Sequence, residues 1–86
     1  MRIVKGKQFE KQYRKLPVKL QKQFAERLRL YIENKNHVLL HAHSLSGKYK
    51  GLWSFNVSAD VRVIFDDSYA NVVILVAIGS HSELYS

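Results

Sequence analysis

The chain is predicted to fold as one α+β domain spanning residues 1–86, in the order strand, helix, helix, strand, strand, strand. An antiparallel two-helix hairpin packs on an antiparallel twisted sheet, and a short helical turn closes the C-terminus. Three observations predict this. Apolar residues recur every four positions along VKLQKQFAERLRLYIEN; the pattern switches to period two at LWSFNVS; and 86 residues without a repeat or linker hold one core and no more.

Taken in order, MRIVKG reads as a short edge strand closed by Gly6, with Ile3 and Val4 apolar. Phe9, Tyr13 and Leu16 recur at helical spacing and mark a first amphipathic helix. Pro17 is tolerated in a helix's first turn but not in its interior, so it separates this helix from a second. Along the second, Leu20, Phe24, Leu28 and Ile32 form one apolar stripe, and Lys19, Lys22, Glu26, Arg29 and Glu33 point elsewhere. The tight joint makes the pair an antiparallel hairpin. In the first long β segment Trp53, Phe55 and Val57 share a face opposite Leu52, Ser54 and Asn56. In the next, Val61, Val63 and Phe65 lie opposite Arg62, Ile64 and Asp66. Both apolar sets have to meet one core, so Val57 is placed opposite Val61 around the loop Ser58-Ala59-Asp60, and Asn56 beside Arg62. Asp67-Ser68-Tyr69-Ala70 reads as the following turn, and NVVILVAIG, apolar on both faces, as a strand central to the sheet. The open face of that sheet carries Arg62.

Composition narrows the chemistry. Cysteine is absent, which excludes disulfides, thiolate metal sites and a catalytic thiol. His37, His41 and His43 in HVLLHAH invite a metal reading, since His41 and His43 share a face in an extended segment. With no cysteine and no acid nearby, neither a metal nor another cofactor is expected. Residues 1–50 hold 13 of the 14 Lys and Arg against three acids, and residues 51–86 hold Arg62 against four acids. That segregation favours a polyanion or an acidic protein as partner, against the plainer reading of a solvated helical surface. No apolar run approaches the roughly 20 residues that span a bilayer, and the N-terminus lacks a secretory pattern, so a cytoplasmic location without membrane contact is expected.

HSLSGKYKGLWSFNV, ADVRVIF and the terminal GSHSELY, in this order and spacing, resemble the toxins of bacterial type II toxin-antitoxin modules in the RelE and ParE superfamily, most closely the YafQ branch. The resemblance implies an mRNA interferase: an endoribonuclease that cuts message in the A site of the 70S ribosome and thereby stops translation. It also implies silencing by an acidic, largely disordered antitoxin, with operator DNA bound only through that complex. The chemistry implied is metal-independent attack of a ribose 2′-OH on the adjacent phosphate, leaving a 2′,3′-cyclic phosphate.

Such a reaction needs a base, an acid and a cation at the phosphate. His81 matches the terminal histidine of the family and is the leading acid or base; its plainer role is to cap the last turn. Tyr85, four residues on, either stacks on a base or orients His81, or simply packs the chain end on the sheet. Arg62 matches the arginine of R-V-I-F and suits phosphate, though a salt bridge to Asp60 or Asp66 would explain it too. Asp60 and His43 match the YafQ pattern, Asp60 as a base or as a residue that orients a histidine, or else as a turn former. Lys48, Tyr49 and Lys50 of GKYKG are expected at RNA phosphate, or merely to keep the hairpin soluble, and Asn56 is expected to contact the RNA beside Arg62. The chain departs from the pattern at Asn56, where YafQ-like toxins have a histidine, at Val61, where they have a tryptophan, and at Ala77, where they have an arginine. Trp53 and Phe55 occupy positions where RelE itself uses lysines. A gyrase inhibitor of the ParE kind and a module that only binds antitoxin therefore stay open as alternatives.

Overall fold

The computed structural model describes residues 1–85. Strand β1 (Arg2–Lys5) leads into helices α1 (Lys7–Lys15) and α2 (Val18–Glu33). A 3₁₀ turn at Val38–Leu40, strand β2 (His43–Ser44) and a second 3₁₀ turn at Gly47–Tyr49 follow. Strands β3 (Trp53–Asn56), β4 (Val61–Tyr69) and β5 (Val72–Ser80) then run into helix α3 (His81–Tyr85). The sheet order is β1-β5-β4-β3-β2, with β1 parallel to β5 and every other pair antiparallel.

The joint between β1 and α1 is pressed onto β5. The Gly6 N–H donates to the Leu75 carbonyl at 2.8 Å, and a Cβ at Gly6 would lie 2.8 Å from that same oxygen, so no larger residue fits without a shift. Pro17 stands at the cap of α2. There Gln21 donates to the Tyr13 and Leu16 carbonyls at 2.9 and 3.3 Å, adding a second bond to the Tyr13 oxygen, which already accepts from the Leu16 N–H.

One face of the sheet buries Phe55, Val63, Phe65 and Leu75 against Phe9, Phe24 and Tyr31 of the helices. Ring centroids lie 5.3 Å apart for Phe9 and Phe24, 5.6 Å for Tyr31 and Phe55, and 5.0 Å for Tyr31 and Phe65. Aromatic pairs at this spacing add roughly 0.5–1.5 kcal/mol each beyond the area they bury.

The expected hairpin register holds. Asn56 lies opposite Arg62, and the Val57 and Ser58 N–H groups both donate to the Val61 carbonyl. Strand β5 is paired on both sides, while β4 holds the middle of the sheet.

Three expectations are corrected. The four-residue stripe on α2 drifts by about 40° per step on a helix of 3.6 residues per turn. By its end Ile32 is 46% exposed, and Tyr31, seven residues after Phe24, is buried in its place. The turn expected at residues 67–70 lies further on, at Ala70 and Asn71, and Asn71 takes the left-handed conformation (φ 57°). Asp66-Asp67-Ser68 forms a bulge within β4 instead, held by the Asp66 carboxylate accepting from the Ser68 N–H and hydroxyl. The face away from the helices is not fully open, because Leu84 of α3 covers Ile64 and Ala77 there, with Tyr49 and Leu45 packed alongside.

Among the described residues no helix is long and apolar enough to cross a membrane.

Candidate active site

The uncovered part of that second sheet face is a groove of about 780 Å³, lined by His43, Asn56, Arg62, His81 and Tyr85 together with the 41–46 segment. Residues from four elements meet there because the β3–β4 hairpin and the end of β5 lie next to one another.

Strand alternation puts Arg62 on this face. Its Nη1 donates to the Ser58 and Ala59 carbonyls, both at 3.1 Å, and more weakly to the Val61 carbonyl at 3.5 Å. The partners are backbone oxygens of the hairpin loop, not the carboxylates of Asp60 or Asp66. The guanidinium is therefore fixed in place by neutral acceptors and keeps its charge for a ligand.

His43 is exposed, and its Nδ1 sits 2.9 Å from the His41 carbonyl. A carbonyl only accepts, so Nδ1 carries the proton and Nε2 of the neutral ring is left as an acceptor. His41 itself is in the left-handed region (φ 47°), which turns its carbonyl toward its own downstream neighbour.

The terminal GSHSELY works as a capping device. The Ser80 hydroxyl accepts from the Glu83 N–H at 3.2 Å, and the Glu83 carboxylate accepts from the Ser80 N–H at 2.8 Å. Those bonds to Ser80 hold the Glu83 carboxyl below its ordinary value. Gly79 leaves the room this needs, since a Cβ there would come within 3.2 Å of the Glu83 carboxylate. The result is one helical turn that starts at His81. The His81 N–H donates to the Asp60 carbonyl at 3.0 Å, and its ring lies 4.7 Å from the Tyr85 ring, so residue 85 does return to the side of residue 81. Tyr49 clamps the turn from outside, its hydroxyl donating to the Leu84 carbonyl at 2.9 Å and its ring meeting Tyr85 edge-on.

A profile described as bacterial toxin of type II toxin-antitoxin system, YafQ, matches residues 1–86. The chain belongs to the YafQ toxin family. Among solved structures it superimposes on YafQ from E. coli with a TM-score of 0.78 at 21% identity, covering 100% of both chains. The match to YafQ in the E. coli DinJ-YafQ complex has a TM-score of 0.75 at 20% identity, again over 100% of both. A YoeB/ParE toxin from Agrobacterium tumefaciens follows with a TM-score of 0.78 at 16% identity, covering 94% of this chain and 99% of that one. No curated protein matches the sequence significantly.

In this YafQ-family chain the structure brings five of the sequence-predicted site residues onto one groove. Asp60 does not line it; its carbonyl accepts from the His81 N–H instead. Lys48 and Lys50 flank Tyr49, the Lys48 ammonium 5.1 Å from that ring, and do not line the groove. Ala77, where YafQ-like toxins carry an arginine, is buried under Leu84. Sequence reasoning missed Ser80 and Glu83, although S-x-x-E is a readable capping signal. Tyr49, expected at phosphate with its two lysine neighbours, instead gives its hydroxyl to a carbonyl 35 residues away.

Proposed function

We propose that this toxin is a ribosome-dependent mRNA endonuclease. The observation that carries the reading is that two exposed histidines and a fixed arginine line one groove, with His43 Nε2 left as a free acceptor. In this mechanism His43 Nε2 takes the proton from the ribose 2′-OH. The 2′-oxygen forms a bond to phosphorus as the bond to the 5′-oxygen breaks, and His81, as imidazolium, gives its proton to that leaving oxygen. The products are a 2′,3′-cyclic phosphate and a 5′-OH end. Arg62 holds the non-bridging oxygens while charge builds on them. Asp60 and Tyr85 keep His81 in place, through the backbone bond and the ring contact, and Asn56 offers its amide to the ribose or phosphate beside Arg62. Lys48 and Lys50 meet the RNA backbone beyond the groove. No step requires a metal.

The substrate is mRNA in the A site of the 70S ribosome. The basic helices form the layer opposite the groove, which suits an acidic antitoxin that wraps the helical side and brings operator DNA into the complex. The DinJ-YafQ complex supports an antitoxin partner for this family.

The test adds purified toxin to a programmed translation system, with and without ribosomes, and maps message ends by primer extension. Discrete cuts that need ribosomes and vanish with His81→Ala are expected. Intact message together with blocked gyrase supercoiling would transfer the assignment to a gyrase inhibitor.

A further inference from the structure

A second pocket, of about 450 Å³, adjoins the groove and shares His41 and Ala42 with it. It is built by the segment after α2, which is moored by buried Leu40 and by the Arg27 guanidinium donating to the Leu39 carbonyl at 2.6 Å. Its size falls within the roughly 300–1,000 Å³ of small-ligand sites. Its walls combine three kinds of group. Trp53 is 38% exposed, which leaves an aromatic face uncovered at the edge of the helix-side core. Asp67 accepts from the Tyr31 hydroxyl only at 3.5 Å, a contact long enough to leave the carboxylate's other lone pairs for a ligand. Lys35, His37 and His41 supply donors. The His37 Nδ1 accepts from the Leu39 N–H at 3.1 Å, so its Nε2 carries the proton and can donate.

A stacking face, an acceptor at its edge and donors around the rim, with the Lys35 ammonium among them, are the parts of a nucleotide site. Resting on the ribonuclease reading above, we infer that this pocket holds the base of a nucleotide neighbouring the one cut, and that guanine fits it best. Trp53 stacks on the base. The Asp67 carboxylate accepts from the two adjacent N–H donors on the guanine edge, a pair that adenine, cytosine and uracil do not offer. Lys35 and His37 meet the phosphate. The shared wall at His41 and Ala42 places this nucleotide at the edge of the groove, so that one RNA strand passing over that wall enters both.

Trp53 is the single tryptophan of the chain, so its fluorescence reports occupancy without any cleavage. Titrating the intact toxin with GMP, AMP, CMP and UMP is expected to give saturable quenching, with GMP roughly ten-fold tighter than the others. Asp67→Asn is expected to abolish the GMP advantage while the circular dichroism is unchanged, and Lys35→Ala to weaken all four alike. Equal affinity for the four nucleotides, quenching by inorganic phosphate alone, or no quenching would each overturn the inference. Because this readout needs neither ribosome nor bond cleavage, a silent titration sinks the pocket and leaves the ribonuclease reading to its own test.

Discussion

At the level of single residues, exposure separates chemistry from stability. His43 and His81 are both exposed, so removing either ring opens no cavity, and a loss of cutting cannot be put down to unfolding. Each alanine variant is expected to lower cleavage by about 10²–10⁴-fold with the melting temperature unchanged. The two roles are told apart by the leaving group. An RNA with sulfur in place of the bridging 5′-oxygen needs no acid, so it should restore cutting by His81→Ala and leave His43→Ala inactive; restoration of His43→Ala instead would reverse the assignment, and restoration of both or of neither would remove it. Arg62→Lys keeps the charge but loses the planar fork that spans the loop carbonyls and a phosphate together. Cutting by that variant should fall by about 10²–10³-fold.

At the level of elements, the last turn is the most vulnerable part of the site, since α3 has five residues and depends on its cap. Glu83 is held below the ordinary glutamate value of 4.5 by its bonds to Ser80. Its contribution is therefore complete above that value and is lost as pH falls through the lower folded value. Acidification across this window should release α3, read as a loss of the near-ultraviolet dichroism of the Tyr49 and Tyr85 pair before the far-ultraviolet signal changes. Glu83→Gln should remove that step and lower activity already at neutral pH, with only a small change in melting. Gly79→Ala should act similarly, through the Cβ that crowds the same carboxylate. The Asp66 carboxyl, lowered by the Ser68 hydroxyl and N–H, holds the β4 bulge and follows the same direction with pH.

At the level of the whole molecule, two layers divide the work. The helix side buries the aromatic core and carries most of the basic residues, and the other side of the same sheet carries the groove. Burial, reinforced by the Asp67 charge and the bond to Asp67, pushes the Tyr31 phenol up to about 12. Its stabilising effect is complete below the ordinary value of 10.0 and is lost as pH rises through about 12. A phenolate absorbance titration should show one late step that Tyr31→Phe removes; a variant that retains the step would place the late phenol elsewhere. Phe55, fully buried between Tyr31, Phe24 and Phe65, is the central ring of the core. Phe55→Ala should cost about 3–5 kcal/mol, a large part of the roughly 5–15 kcal/mol that holds a small domain together, and should leave the toxin largely unfolded.

Periodicity by itself determined the two helices, the β3–β4 hairpin with Asn56 beside Arg62, and the interior place of β5, because these follow from local spacing and from the need to turn apolar faces toward one core. Local spacing also put Arg62 on the strand face away from the core and Tyr85 one helical step from His81, whereas His43 and His81 themselves were marked by their resemblance to the YafQ pattern. Where local rules compete, tertiary contacts decided. Tyr31 rather than Ile32 is buried, because its ring packs against Phe55 and Phe65 of the sheet. Asp66-Asp67-Ser68 became a bulge within β4, and the turn moved on to Ala70 and Asn71, where the pairing of β4 with β5 ends. His43 takes its tautomer from the carbonyl of His41, two residues upstream, but Asp60 received its backbone role and Tyr49 its hold on α3 from partners that no spacing rule predicts, since each is set by how the chain folds back.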